Sequence, residues 1–532
     1  MFLKIKSLSV LMLSSNNLTF QTKAISNDTL SQFDTLRLSS CSLQKFPDFL
    51  RNQNKLSILE LEDNNLQGLI PKWLYNTSIE TLGVMLFAEN FLTGFEQSPA
   101  VLPWSNLEVF VLEYNMLQGS LPIPPPSTKV YRVRQNALTG EISPLICNLS
   151  SLYGLGLSNN YLSGMLHPCL GNLSHSLLVL ELQSNNFRGT IPETWAKGSS
   201  LRVIDLSQNH LQGQLPRSLE HSMMLEYLNV GNNMINDSFP FWLGILPQLR
   251  VLVLQSNLFH GAIRSPKSNY TFPKLGIIDL SNNNFFGNLP SEYFLHWNAM
   301  KTVGANQLQY MGIDFSGDGW YSGFDYSVTI TTKGIKLKYE KIQDVFTVID
   351  FSNNRFDGEI PEVVGNLKEL NLLNLSNNGL TGHIPSSMGN LTKLESMDLS
   401  QNKLLGEIPP KLLELNFLEF FNVSNNQLTG PIPHGRQFDT FQNTSFGGNY
   451  GLCGSPLSKK CGDSKFSPSS PSTFEENQSS ESLFEFDWKI VVLGYGCGLV
   501  VGVVIGQIVT TRMHDWFMKT FGRRQQTRRR VN

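Results

Sequence analysis

An asparagine returns about every 24 residues along most of this chain, each time closing the same short pattern of leucines, and no other feature restricts the fold as much. The pattern is clearest in Leu201-Arg-Val-Ile204-Asp-Leu206-Ser-Gln-Asn209-His-Leu211-Gln-Gly213-Gln-Leu215-Pro216. The closing residues are Asn64, Asn90, Asn115, Asn136, Asn160, Asn185, Asn209, Asn233, Asn257 and Asn283, then after a gap Asn354, Asn378, Asn402 and Asn426. Ile204 and Leu206 alternate with variable residues, so a short strand turns them to one side. One coil cannot bury that side alone; stacking on its neighbours does so. The asparagine amide both donates and accepts, and serves backbone groups left open where the chain leaves the strand. Gly213 is expected to make a turn, and Leu215-Pro216 to begin the return on the convex side. Roughly sixteen parallel coils then span on the order of 75 Å.

Composition bears on what such a stack can do. The chain has 532 residues, too many for one compact core, and a net charge of −2, which gives nucleic acid no electrostatic reason to bind. There is no Gly-rich phosphate loop with a downstream Lys, no catalytic Ser/His/Asp arrangement and no metal-ligand spacing. The sequence therefore reads as a non-enzyme without cofactor or metal. Of six cysteines, Cys147 and Cys169 fall on adjacent coils within reach of a disulfide. Cys453 and Cys461 are placed to tie a loop over the end of the core, and Cys41 stands at an asparagine position as a buried free thiol.

The chain divides by pattern. Residues 1–290 are repeats, 291–345 an insertion that breaks the register, 346–433 further repeats and 434–462 a closing cap. Within the insertion, Tyr326-Ser-Val-Thr-Ile-Thr-Thr-Lys333-Gly334 alternates and is β-branched, so it reads as a hairpin arm. Residues 463–489 form an acidic Ser/Pro stalk, 490–510 an apolar span long enough for one transmembrane helix, and 511–532 a basic tail. The positive-inside rule puts that tail in the cytoplasm and the repeats outside, at a plasma membrane. Gly494, Gly498, Gly502 and Gly506 lie along one face of the span and suit close approach of another helix. Glycosylation sequons at Asn17, Asn27, Asn76, Asn148, Asn172, Asn236, Asn269, Asn374, Asn390, Asn422, Asn443 and Asn477 all precede the span. The chain enters its first coil with neither signal peptide nor N-terminal cap, which is read as a lost front.

The 24-residue spacing lies in the range of leucine-rich repeats, and coils reading Leu-Thr-Gly-x-Ile-Pro resemble the plant extracellular type. Thr331-Thr332-Lys333-Gly334 followed by Phe346-Thr-Val-Ile-Asp-Phe-Ser-Asn-Asn resembles plant receptor-like proteins. So do Gly430-Pro-Ile-Pro-His-Gly-Arg-Gln-Phe438 and Asn449-Tyr-Gly-Leu-Cys453-Gly. The resemblance, closest to the disease-resistance type, departs at Phe324, where a Tyr is expected. It implies an α/β-type leucine-rich-repeat solenoid, a curved parallel-β arc with an island insertion and one C-terminal transmembrane helix. It also implies a kinase-less cell-surface receptor for an extracellular peptide, protein or glycan, defence-related, that signals through a receptor-like kinase partner and a co-receptor kinase. By the same analogy Lys333, Gly334, Asp350, Asn374, Asp398 and Asn422 would meet the co-receptor.

Ligand contacts in a curved array come from strand positions alternating with the buried leucines. In the middle coils these are Glu113, Tyr114, Arg132, Arg134, Glu181, Asp205, Tyr227 and Gln255, with Arg132 and Arg134 suited to grip a carboxylate or phosphate. Rival readings are a developmental peptide co-receptor, a decoy inhibitor of a microbial enzyme, and a truncated fragment without function.

Overall fold

The computed structural model describes residues 5–16, 31–97, 100–195, 197–266, 270–302, 309–313 and 323–462. The chain divides into two units, Met1–Ser464 and Lys465–Asn532, and the second lies wholly outside the described residues. The expectations for the stalk, the span with Gly494, Gly498, Gly502 and Gly506, and the tail fall there. Those for Asn17, Asn27, Asn269 and Asn477 also lie outside. Among the described residues no helix is long and apolar enough to cross a membrane.

Sixteen parallel strands, from Val10–Met12 to Phe420–Asn422, make one continuous sheet in sequence order. Each strand is only three residues long, and its middle residue faces inward: Ile204 aligns with Leu180 on one side and Leu228 on the other. All three are at most 1% exposed. Burying such a side chain contributes roughly 1.5–3 kcal/mol, which repetition multiplies along the arc.

The asparagine ladder has the expected chemistry. Asn209 Nδ2 donates to the carbonyls of Leu182, Leu206 and Ser207 at 3.0, 3.1 and 3.1 Å, and its Oδ1 accepts from Phe187 N at 3.0 Å. The residue before each ladder asparagine takes a left-handed backbone, as at Gln208 (φ 54°) and Asn232 (φ 55°), which explains the frequent second Asn. Gly213 does not form a simple turn. It ends a short outer strand, His210–Gly213, with φ 82°, in a second, six-stranded parallel sheet along the arc. Short 3-10 turns such as Arg217–His221 form the convex side.

Cys41 sits in the ladder, fully buried and unpaired, its backbone N–H donating to Asn64 Oδ1 at 3.0 Å. Cys147 and Cys169 are bonded across adjacent convex segments with Cα atoms 5.6 Å apart, and Cys453 is bonded to Cys461. Asn449 extends the ladder into the cap, where Phe438, Phe441 and Phe446 surround the ring of Phe421.

The insertion starts later than residue 291. The helix Ser291–Phe294 and the turn Asn298–Met300 complete a coil, because Tyr293, Phe294, Trp297 and Met300 are all needed in the core and are at most 1% exposed. The sheet then resumes without a gap: Ile277–Asp279 pairs directly with Val348–Asp350. Of the described sequons, Asn76, Asn148, Asn172, Asn236 and Asn443 are exposed, and Asn390 and Asn422 are half-buried. Asn374 departs from the glycosylation expectation. It is 7% exposed, its Nδ2 donates to Asp350 Oδ2 at 3.2 Å and its Oδ1 accepts from Ser376, so the side chain is held in the fold with little room for a sugar.

Candidate ligand-binding site

The first residue of each strand points to the concave side, and in the middle coils that residue is apolar: Val179, Val203, Val251, Ile277, Val348 and Leu372. A face left to water has little reason to carry such a row. The island folds back over it. Met311, Ile313, Phe324, Tyr326, Val328, Ile330 and Ile342 pack on the row as a second hydrophobic core, separate from the one inside the coils.

The island's main element is an antiparallel hairpin, Val328–Thr332 with Ile335–Tyr339. Its two-residue turn is Lys333-Gly334, both at positive φ (51° and 76°), which suits the twist of paired strands. Val328 and Ile330 face the arc and are at most 3% exposed, while Ile335 and Leu337 of the returning arm are open at 57% and 40%. Polar contacts fix the position. Tyr326 Oη donates to Glu226 Oε2 at 2.9 Å, Tyr227 Oη donates to the Ser327 carbonyl at 2.9 Å, Arg250 pairs with Asp344 at 3.4 Å, and Lys333 pairs with Glu419.

Between this cover and the strands lies a cavity of about 480 Å³. Glu113, Tyr114, Arg132, Arg134, Glu181, Asp205, Tyr227 and Gln255 all border it, so the structure brings the eight sequence-predicted positions to one place. Five of the eight are covered rather than open. Arg132, Glu181, Asp205, Tyr227 and Gln255 are at most 9% exposed, because the island sits over them. Tyr227 supports the island as much as it lines the cavity, packing with Tyr326 at 5.8 Å between ring centroids. The other wall, Phe324, Asp325, Val328, Lys338 and Lys341, escaped the sequence reading. Its signal was available in the apolar residues at outward strand positions.

The electrostatics of the cavity are unevenly paired. Arg134 Nε lies 2.5 Å from Glu113 Oε2, and Nη1 lies 3.9 Å from Glu181 Oε1. Burial alone would lower the Arg134 pKa, but the two carboxylates outweigh it and raise it. The pair Arg132 and Arg134 is therefore not an open carboxylate or phosphate grip: Arg134 already holds two acids, and the Arg132 guanidinium lies over the Phe324 ring at 5.8 Å. Burial pushes Asp205 up to about 6, against the hydrogen bonds from Ser207 that favour its charged form.

Lys333, Gly334, Asn374 and Asp398 border a second cavity, of about 330 Å³, under the hairpin tip. Asp350 is 1% exposed beneath the island and Asn374 is 7%, so neither is open to a co-receptor as expected. Asn422 stands half-buried on the last strand of the sheet, its Oδ1 accepting from Ser424 N at 3.1 Å. Among the described residues no group of acidic, histidine and cysteine side chains could hold a metal.

Leucine-rich-repeat family profiles match residues 175–235, and shorter single-repeat profiles match 55–77, 346–367, 369–391 and 393–415. Receptor-like protein 7 of Arabidopsis thaliana is 45% identical over 532 residues, covering 100% of this chain and 54% of that protein. Receptor-like protein 54 of the same plant is 44% identical over 98% of this chain and 65% of its own length. The chain belongs to the plant leucine-rich-repeat receptor-like proteins. This receptor-like protein spans about half to two thirds of the length of the curated relatives it matches. Its fold is that of plant receptor ectodomains. PEPR1 in complex with AtPEP1 superposes with a TM-score of 0.63 at 28% identity, covering 84% of this chain and 63% of that one. The Arabidopsis HAESA ectodomain, bound to an extended IDA peptide hormone, gives 0.62 at 28% identity, with 84% and 71% covered.

Proposed function

We propose that the chain is the ligand-recognition part of a cell-surface receptor that binds an extracellular peptide or protein segment in the cavity between arc and island. The observation that carries this is the enclosure of charged groups from successive coils in one place, under a cover held by its own hydrophobic core. A peptide hormone is the bound ligand of the HAESA ectodomain, and AtPEP1 that of PEPR1, and both share this fold. On this reading the chain acts by binding. Its output passes through a receptor-like kinase partner reached by the glycine-spaced span, and a co-receptor kinase at the hairpin tip beside Lys333, Gly334 and Asp398, with the repeats outside the plasma membrane. Defence against microbes is the role that the family resemblance favours.

The test is capture of extracellular plant and microbial peptides by the full chain, followed by hydrogen exchange on the complex. A captured peptide should slow exchange in strands Val130–Arg132, Val179–Glu181 and Val203–Asp205. Protection confined to the convex side, or capture undiminished when Glu181 and Arg134 are both reversed in charge, would overturn the reading.

A further inference from the structure

Glu181 is 4% exposed and borders the cavity, yet its Oε2 meets no hydrogen-bond partner among the described residues. Two residues on, Gln183 spends its Nε2 on Glu181 Oε1 at 3.5 Å and leaves its Oε1 unpartnered and buried as well. Two acceptors thus lie buried in the wall of one cavity with nothing to accept, a state that costs free energy unless a donor arrives. The neighbouring strand, Gly154–Gly156, carries no side chain on its concave positions. A Cβ at Gly156 would stand 3.2 Å from Glu181 Oε2 and 3.2 Å from Arg132 Cγ, so the missing side chain is what leaves the carboxylate its room.

The cations nearby leave Oε2 without a donor. Arg134 holds Glu113 and reaches only the other oxygen of Glu181, Oε1, at 3.9 Å, Lys341 pairs with Asp325 at 2.9 Å, and Lys338 pairs with Glu340 at 3.0 Å. Upstream the concave side continues acidic through Glu60, Glu62 and Glu89. Burial, and then the charges of Glu60, Glu113 and Glu89, raise Glu62 to about 7, so negative charge is crowded there. Beside these acids runs an apolar row formed by Ile58, Val84, Leu86, Val109, Val111 and Val130.

We infer that the cavity takes a cationic side chain of the ligand, an arginine or lysine, whose N–H groups donate to Glu181 Oε2 and Gln183 Oε1, while the flanking peptide lies along the acidic and apolar rows upstream. This rests on the cavity being the ligand site. A charge-assisted bond to a buried carboxylate is strong enough to set preference among peptides.

Synthetic random octapeptide pools test it, alike except for a fixed central arginine, citrulline or glutamate, with binding to the full chain in detergent micelles followed by hydrogen exchange. Citrulline keeps the shape and removes the charge. The arginine pool should bind about tenfold or more above the citrulline pool, the glutamate pool weakest, and Glu181→Gln should bring arginine and citrulline near parity. Equal binding of arginine and citrulline pools, with strand Val179–Glu181 protected by both, would overturn the cationic subsite and leave the cavity as the site. Binding by no pool, or binding without protection there, would overturn the cavity reading and this inference with it.

Discussion

Four aspartates occupy the last position of concave strands: Asp205, Asp279, Asp350 and Asp398. Each accepts from a serine two residues on, whose Oγ lies 2.6 Å from Oδ1. Asp279 and Asp350 are 71 apart in sequence numbering (350 − 279) yet face each other in register, because the island loops out between them. Burial raises the pKa of both, and Asp279 raises that of Asp350 further, while Lys336 of the hairpin works the other way on Asp279. The folded chain thus keeps protons that the unfolded chain releases. Their stabilising effect is complete below the ordinary carboxylate value of 3.8 and declines as pH rises through the raised folded values. Asp279→Asn removes one charge and keeps an acceptor for Ser281, as Asn374 does naturally for Ser376 at 2.7 Å. We expect the variant to melt higher than the parent at pH 7, by on the order of 1 kcal/mol, with the gain shrinking toward pH 4. Thermal melts across that range check it; a lower melting temperature at pH 7 would mean that attraction to Lys336 outweighs the repulsion.

The hairpin shows what the sequence exposes at the scale of elements. Its alternating, β-branched arm and Lys333-Gly334 turn are legible, since local pattern and turn chemistry determine them. Its docking place is not, because that depends on residues in other coils. Taken in one coil Val203 is a variable outward position beside Ile204, but repetition of Val or Ile at that place in successive coils marks a surface awaiting cover. For the same reason the sequence names the eight cavity residues without showing that five of them are buried. Ile330, 1% exposed, is a central contact of the arm. Ile330→Ala should cost about 2–5 kcal/mol, charged mainly to docking rather than to the coils. Hydrogen exchange should then speed up across Val328–Tyr339 and stay unchanged in strand Thr35–Arg37. Unchanged protection in both arms would place the island's hold elsewhere, in Tyr326 and Asp344.

At the scale of the repeat array, two of the hydrophobic clusters among the described residues serve different ends. The inner one is built coil by coil and needs only neighbours, so the repeat unit specifies it completely. The second joins strands between Val179 and Leu372 to an island inserted between two of them, and it is what converts an open arc into an enclosed site. The sheet passes directly from Ile277–Asp279 to Val348–Asp350, so the arc does not need the island to stay in register. Replacing residues 309–341 by a short linker should therefore leave a cooperatively melting array. It should also uncover Val203, Val251, Val253, Ile277 and Val348, each worth roughly 1.5–3 kcal/mol of lost burial. The shortened chain is expected to bind a hydrophobic fluorescent dye strongly and to self-associate in gel filtration, while the parent does neither through this region. Loss of cooperative melting would show that the second core supports the first. Dye binding equal to the parent's would show that the concave row finds shelter without the island, and the enclosed site would then lose its physical basis.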